Sequence, residues 1–344
     1  MTPPHRVAAC ALAGLLVGAA APGQTLVASP LVHGQEFSVV VTGAPAPSDA
    51  AFLIGVGGVG PGACFPGIVC LDLLDPWMVA AILPAAGGSA GIAGIVPPTF
   101  PLIEIDLQAV IVAPAPGGFA AAKTAAEVRF VQPISALSDG FDGAALASDW
   151  ILHEAGELAP PVVGGSALYL TPVATGPAAV WFNDDEGPAL FKRVTGDFTA
   201  TSIVHVSNPL ALSPIPVPPP TSFRLGGLVA RDPAGASGTK NSVHVAVGAG
   251  VPGFPLVVED KNTVLSSSVY AFHPTASHHV ELRLRRVGAL VECAWRPTTG
   301  GAWTIVATHA RPDLPPTLHV GPMVYSYDAP SLIEARFDDV AFGP

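Results

Sequence analysis

A run of acidic side chains in residues 104–108 has the residue types that glycoside hydrolysis uses. Glu104 and Asp106 alternate with apolar residues, so an extended strand would place both carboxylates and the amide of Gln108 on one face. Retaining hydrolysis needs two carboxyl groups about 5 Å apart, and the amide at the last position cannot donate and recover a proton. The pattern therefore predicts an edge strand with a wet face, and the chain is expected not to be an enzyme.

Other groupings that could bind a metal or a phosphate are weaker. His278 and His279 are adjacent, and adjacent residues on a strand point to opposite faces, so they are poor joint metal ligands. The glycine-rich run at residues 57–60 is followed by neither a helix nor a lysine, as a phosphate-binding loop would need. These residues are interpreted as parts of strands and turns.

The composition and the N-terminus indicate an exported protein. The 344 residues carry a formal charge of −11 with only a short basic cluster at residues 283–286, so nucleic-acid binding is not expected. Residues 1–23 have the pattern of a signal peptide, with His5-Arg6, an apolar stretch at residues 7–17 and small residues before a cleavage point near Gln24. Because that apolar stretch is short, no membrane span is expected after cleavage, and the destination is the cell exterior or surface, with the periplasm as the alternative.

Two cysteines lie close together in the chain. Cys64 and Cys70 bracket a tight loop, and export to an oxidising compartment favours a disulfide between them. Cys293 lies in an apolar strand pattern and is interpreted as a buried thiol. The prediction is one short-range bridge and one free cysteine in the mature chain.

Alternation of apolar and polar residues predicts an all-β protein in two domains. In residues 281–288, Leu282, Leu284 and Val287 alternate with arginines, as in a half-buried antiparallel strand. Trp295 and Trp303 flank a glycine-rich turn, which predicts a hairpin. Proline and glycine recur too often for helices, and the pattern divides into a small β-sandwich at 24–132 and a larger β domain at 133–344.

Four phrases in the last 165 residues resemble one family. They are Trp181-Phe182 running into the segment 187–198, then the segments 226–231, 281–288 and 335–342. Together they resemble the concanavalin A-like lectin/glucanase (laminin-G-like) β-sandwich. The resemblance implies a jelly-roll sandwich for residues 133–344, and the first domain loosely resembles small sandwich modules of exported bacterial proteins.

That resemblance implies a sugar site built from aromatic rings and planar polar groups. The candidate ligand-binding residues are Trp181, Asn183, Asp185, Arg231, Trp295, Tyr325 and Tyr327. The alternative interpretation is that the aromatic rings fill the core and that Arg231 holds a loop by hydrogen bonds. The choice between the two is open for Trp181 and Trp295.

A structural Ca²⁺ is the cofactor that the acidic residues of the second domain would hold. In a sandwich of the resembled class the first and last strands pair, which would bring four carboxylates to one rim. They are Asp139, Asp142, Asp338 and Asp339. In the alternative, Asp142 caps a turn and Asp338 pairs with Arg336.

The expected function is non-catalytic binding or adhesion to an extracellular glycan or cell-envelope polymer. The alternative is a structural spacer of the envelope or matrix that has no specific ligand, and a glycoside hydrolase is a remote third alternative. An exposed groove lined by paired aromatic side chains favours binding, whereas a concave face filled by Ala and Val favours the spacer.

Overall fold

The computed structural model describes residues 23–65, 69–116, 118–176, 179–211 and 217–344. Two compact units meet in sequence between Pro133 and Ile134. The predicted signal peptide lies outside the described residues except for Gly23. Among the described residues, no helix is both long and apolar enough to cross a membrane.

The first unit is an all-β sandwich. Its described strands are β1 (Thr25–Ala28), β2 (Leu31–Val32), β3 (Glu36–Thr42), β4 (Asp49–Gly55), β5 (Cys64–Phe65), β6 (Val69–Cys70), β7 (Trp77–Pro84), β8 (Ser89–Ile95), β9 (Glu104–Ala115), β10 (Gly118–Lys123) and β11 (Glu127–Gln132). One sheet has the order β1-β3-β8 and the other the order β2-β11-β9-β4-β7, with β10 paired to β9. Side chains of both sheets, among them Val39, Phe52 and Leu107, form one buried core.

The predicted disulfide is confirmed. Cys64 and Cys70 lie opposite each other in the β5–β6 hairpin and are joined by a bond between their sulfur atoms. Cys293 is free and buried, as expected, and burial raises the pKa of its thiol.

The strand that carries the acidic run was predicted wrongly as a wet edge strand. It is β9, which pairs with both β4 and β11 inside the sheet. Asp106 and Gln108 are buried and hold a covering loop. The Asp106 carboxylate accepts a hydrogen bond from Gly58 N at 2.8 Å, and the Gln108 amide bonds the backbone and side chain of Asp72. These polar groups therefore have a structural role.

The second unit contains two larger antiparallel sheets. Its described elements are a 3₁₀ helix η1 (Ile134–Leu137), β12 (Ile151–His153), a 3₁₀ helix η2 (Ala155–Glu157), β13 (Val162–Val163), β14 (Leu168–Leu170), β15 (Ala189–Thr195), β16 (Phe198–Ser207), β17 (Arg224–Arg231), β18 (Ser242–Ala249), β19 (Val257–Val264), β20 (Ser267–Pro274), β21 (His279–Val287), β22 (Leu290–Pro297), β23 (Thr304–Ala310), β24 (Thr317–Ser326), β25 (Glu334–Phe337) and β26 (Ala341–Gly343). The seven-stranded sheet has the order β12-β15-β24-β17-β18-β19-β20. The eight-stranded sheet has the order β13-β14-β25-β16-β21-β22-β23, with β26 paired to β16.

Alternation predicted strand β21, with one exception at its end. Leu282 and Leu284 are buried and Arg285 is exposed. Arg286 is buried instead of wet, and its guanidinium donates to backbone carbonyls of Gly288 and of residues 314–316. Val287 is exposed in its place. Three of these four carbonyls belong to residues 314–316, which are distant in the sequence. The local alternation therefore did not indicate that Arg286 is buried and Val287 exposed.

The seven-stranded sheet is covered on both faces over its central strands. Every residue of β17 and β18 is buried, including Ser242, His244 and Ala246, which alternate with valines in β18. One face turns toward the eight-stranded sheet. The other, called here the outer face, carries Leu225, Val229 and Ala246, which share a buried cluster with Val180 and Trp181. The segment that precedes β15 (residues 180–186, called here the covering segment) therefore lies across the outer face and excludes water from it.

Candidate functional site

A pocket of about 310 Å³ opens where the covering segment meets the edge of the outer face. The covering segment supplies two lining residues. Phe223, which directly precedes β17, and Tyr327, which directly follows β24, supply two more. Strands β19 and β20 supply the remaining side chains. The lining residues are Val180, Phe182, Phe223, Lys261, Tyr270 and Tyr327. We call this site the aromatic pocket.

The four rings of the aromatic pocket touch one another mainly by their edges. Tyr270 meets Phe182 at 6.1 Å and Phe223 at 5.9 Å between ring centroids, both in T-shaped arrangements. Phe223 also contacts Tyr327 at 6.1 Å. Tyr270 and Tyr327 keep 40% and 42% of their surface exposed, so ring faces remain available to a ligand. Such faces stack on flat apolar groups.

A buried ammonium group lies among these rings. Lys261 is 2% exposed, and its Nζ lies 3.2 Å from the carbonyl oxygen of Val180 and 3.1 Å from Glu259 Oε1. The same nitrogen lies 5.0–5.8 Å from the centroids of Tyr325, Tyr270 and Phe182. Cation–π attraction and the carboxylate together stabilise a charge that would otherwise be costly to bury.

The carboxylate behind Lys261 belongs to a buried network. Glu259 Oε1 accepts hydrogen bonds from Tyr325 Oη at 2.6 Å and from His244 Nε2 at 2.9 Å. Burial alone would raise the pKa of Glu259, but the charge of Lys261 and these hydrogen bonds lower it to about 2. Burial lowers the pKa of His244. At neutral pH the network therefore holds one carboxylate, one ammonium and a neutral imidazole.

Trp181 and Tyr325 do not present the sugar-stacking faces that were expected of them. Trp181 is 2% exposed, and its ring meets Phe191 edge-on at 6.1 Å. Tyr325 is fully buried, and its hydroxyl is bonded to Glu259. Val180 and Phe182, on either side of Trp181 in the sequence, line the pocket, whereas Trp181 does not. The covering segment thus turns one ring inward and its neighbour outward.

Arg231 is also buried and is engaged within the protein. Its guanidinium donates to both carboxylate oxygens of Glu186, at 2.8 and 3.0 Å. Lys240 contacts the same carboxylate at 2.8 Å. Although burial opposes it, this cationic surrounding lowers the pKa of Glu186 to about 2. As in the alternative interpretation, in which Arg231 holds a loop by hydrogen bonds, the side chain joins the covering segment to β17.

The remaining candidate sugar-binding residues lie in three different places. Tyr327 lines the aromatic pocket. Asn183 is exposed and fastens the covering segment to β20 through two hydrogen bonds with Ser268. Asp185 is exposed on the same segment. Trp295 is half-buried in β22 of the eight-stranded sheet and is not a lining residue.

The four candidate calcium ligands are not brought to one ion. Asp139 pairs with Val340, so the start and the end of the unit do meet as expected. Both Asp139 oxygens are engaged, by Phe141 N and by Trp150 Nε1, and Asp338 forms an ion pair with Arg336 at 2.8 Å. Asp142 and Asp339 are exposed. Among the described residues, no group of three or more acidic, histidine or cysteine side chains could hold a metal ion.

Sequence reasoning missed five of the six described residues that line the pocket, Val180 among them. Phe182 lies beside Trp181 in a phrase that was singled out, but only Trp181 was a candidate. Lys261 carried a signal, because a lysine two residues after Glu259 places two opposite charges on one face of an extended strand. Phe223 and Tyr270 gave no local signal, since strands from distant parts of the chain bring them to the pocket.

Comparisons with known proteins identify no family. No family model matches the sequence, and no curated protein matches it. Solved structures with a similar arrangement include a functionally unknown protein from Saccharomyces cerevisiae (14% identity, TM-score 0.43, covering 57% of this chain and 97% of that one). They also include the GH43 BlXynB protein from Bacillus licheniformis (12%, 0.47, 93% and 64%) and lectin I-B4 from Griffonia simplicifolia (12%, 0.34, 60% and 98%). At these values none of them assigns a function to this chain.

Proposed function

We propose that the protein is an exported, non-catalytic binding or adhesion protein that recognises an extracellular glycan or envelope polymer through the aromatic pocket. The observation that carries this proposal is the pocket itself, which is lined by four aromatic rings and by a buried ammonium group that lies over two of them, Phe182 and Tyr270. The Cys64–Cys70 disulfide supports export, because such bonds persist in oxidising compartments.

The chemistry of the aromatic pocket matches that of a sugar ring. A pyranose has apolar C–H faces that stack on aromatic rings, and its hydroxyls need hydrogen-bond partners once they leave water. The faces of Tyr270 and Tyr327 are accessible, and their phenol groups can donate and accept. The pocket therefore offers stacking and polar contacts within one small volume.

The arrangement of carboxylates argues against hydrolysis. None of the described residues that line the aromatic pocket carries a carboxyl group. Glu259, which contacts the lining residue Lys261, is fully buried, and its pKa of about 2 keeps it ionised at neutral pH. Retaining and inverting hydrolases need one carboxylic acid and one carboxylate on either side of the scissile bond, so the proposed role is binding alone.

A structural spacer without a ligand is the second candidate. It is favoured by the covering segment, which seals much of the outer face and places Trp181 and Tyr325 in the core. In this case the aromatic pocket would be a packing irregularity at the edge of the sheet. The two candidates differ in whether the pocket binds any glycan.

A glycan array probed with the full mature chain tests the proposal. We expect binding that Tyr327→Ala weakens about ten-fold, since a stacked ring contributes about 1–2 kcal/mol. Phe130→Ala is the matched control, because Phe130 is 61% exposed and lies in the first unit, in strand β11. Array-wide absence of binding, or equal losses in both variants, would reject the sugar site and favour the spacer.

A further inference from the structure

We infer that the aromatic pocket accepts a neutral sugar residue and discriminates against both uronic acids and protonated amino sugars. The inference rests on the proposed function and names the ligand class of the same site. It follows from the position of one buried ion pair, Lys261 with Glu259, directly behind the aromatic rings.

A cationic sugar is excluded because the pocket already contains a cation. The ammonium of Lys261 lies 5.8 Å from the Phe182 centroid and 5.6 Å from that of Tyr270, where an aromatic cage would hold a bound ammonium ligand. The position where the rings would stabilise a ligand cation is therefore already occupied. A protonated amino sugar would lose its hydration on entering the pocket without gaining that cation–π contact.

An anionic sugar gains little because Glu259 neutralises the ammonium. The carboxylate lies 3.1 Å from Lys261 Nζ, and the other groups bonded to it, His244 and Tyr325, are neutral. A uronate would have to lose its hydration on entering the pocket without meeting a net positive charge there. Burying a charge without a partner is costly.

A neutral hydroxyl fits a donor that the network leaves over. An ammonium group has three N–H donors; Lys261 donates one of them to the carbonyl oxygen of Val180, and Glu259 lies in ion-pair contact with the same nitrogen. Within the part of the chain that is described, Lys261 has no third acceptor among its hydrogen bonds and ion pairs. A sugar hydroxyl in the pocket could accept from this donor while its ring stacks on Tyr270 or Tyr327.

The volume of the pocket also limits how much of a glycan it holds. A space of about 310 Å³ is at the lower end of the roughly 300–1,000 Å³ range of small-molecule sites. The pocket therefore holds about one sugar unit, which favours a chain end or a side branch over the interior of a long polymer.

Matched methyl pyranosides test the charge preference. In each of the gluco, galacto and manno configurations, the neutral hexoside, its 6-uronate and its 2-amino analogue are titrated into the full mature chain by calorimetry at pH 7. We expect the neutral member of at least one set to bind at least ten-fold more tightly than both charged members. A charged member that binds as well as its neutral partner overturns this inference but leaves glycan binding intact. Absence of binding in all three sets overturns the proposed function as well.

Glu259→Gln removes the negative charge that neutralises Lys261 and provides a second test of the inference. It leaves Lys261 without its counter-charge, so the ratio of uronate affinity to neutral-sugar affinity should rise at least ten-fold. Glu127→Gln is the control, because it changes the net charge equally from strand β11 of the first unit. An unchanged ratio in the Glu259 variant contradicts the inference.

If Glu259→Gln does not fold, the salt dependence of the wild-type chain decides the question. Binding of the matched uronate should change less than two-fold between 0.05 and 1 M NaCl. Uronate binding that weakens ten-fold over this range would indicate an uncompensated positive charge in the pocket and would overturn the inference.

Discussion

Removing the ring of Trp181 separates core packing from ligand binding. The ring is 2% exposed and packs against Phe191 and His153 at 6.1 and 5.8 Å between centroids. It also lies so close to Gly187 that a Cβ there would be 2.9 Å from the indole. Few nearby atoms can therefore move in to fill the space that the ring leaves. Truncation of such a buried ring costs about 3–5 kcal/mol.

The predicted loss of stability can be measured by calorimetry of the full chain. For a unit of the size of residues 134–344, each kcal/mol shifts the melting temperature by about 2–4 °C, so Trp181→Ala should lower it by about 6–20 °C. The positive φ at this residue is equally unfavourable for alanine, so backbone strain does not offset the loss. Tyr327→Ala is the comparison, since its ring is 42% exposed and its removal should cost far less. A Trp181→Ala variant that melts within about 2 °C of the wild type, and yet loses glycan binding, would refute the assignment of this ring to the core.

Three further measurements follow from the described contacts. Replacing Tyr327 by Phe should weaken glycan binding less than Tyr327→Ala, because the stacking face remains; equal losses would count against stacking. Burial lowers the pKa values of His205 and His319 to about 4, helped by neighbouring positive charges, so the unfolded chain takes up protons first. Stability should then be constant above about pH 6.5 and fall toward pH 4, and a flat melting temperature between pH 7 and 5 would contradict this. Replacing both Cys64 and Cys70 by serine should lower the free energy of unfolding by about 2 kcal/mol in denaturant titrations, and unchanged stability would contradict a contribution from the bridge.

The strands of this protein were predictable because their signals are local. Side chains alternate along an extended chain, so the buried positions Leu282 and Leu284 could be identified from six neighbouring residues. The short loop between Cys64 and Cys70 likewise restricted the bridge to two nearby residues. The all-β class follows from the same alternation and from the recurrence of proline and glycine.

The identity of the pocket residues was decided by tertiary structure. Whether Trp181 or Phe182 faces the ligand depends on which side of the segment before β15 lies against the sheet, and the local sequence does not indicate this. Arg231 could be read as a ligand-binding group until the fold placed Glu186, 45 positions earlier in sequence, against its guanidinium.

The sequence by itself therefore determined which segments are strands, since that choice depends on short-range alternation and turn residues. The tertiary structure decided which faces are covered and which polar groups already have partners. The segment before β15 crosses the outer face of the sheet and buries His244 of β18 and Lys261 of β19. Burial and partnership depend on residues that are far apart in the chain, and for this reason the aromatic pocket became visible only in the folded protein.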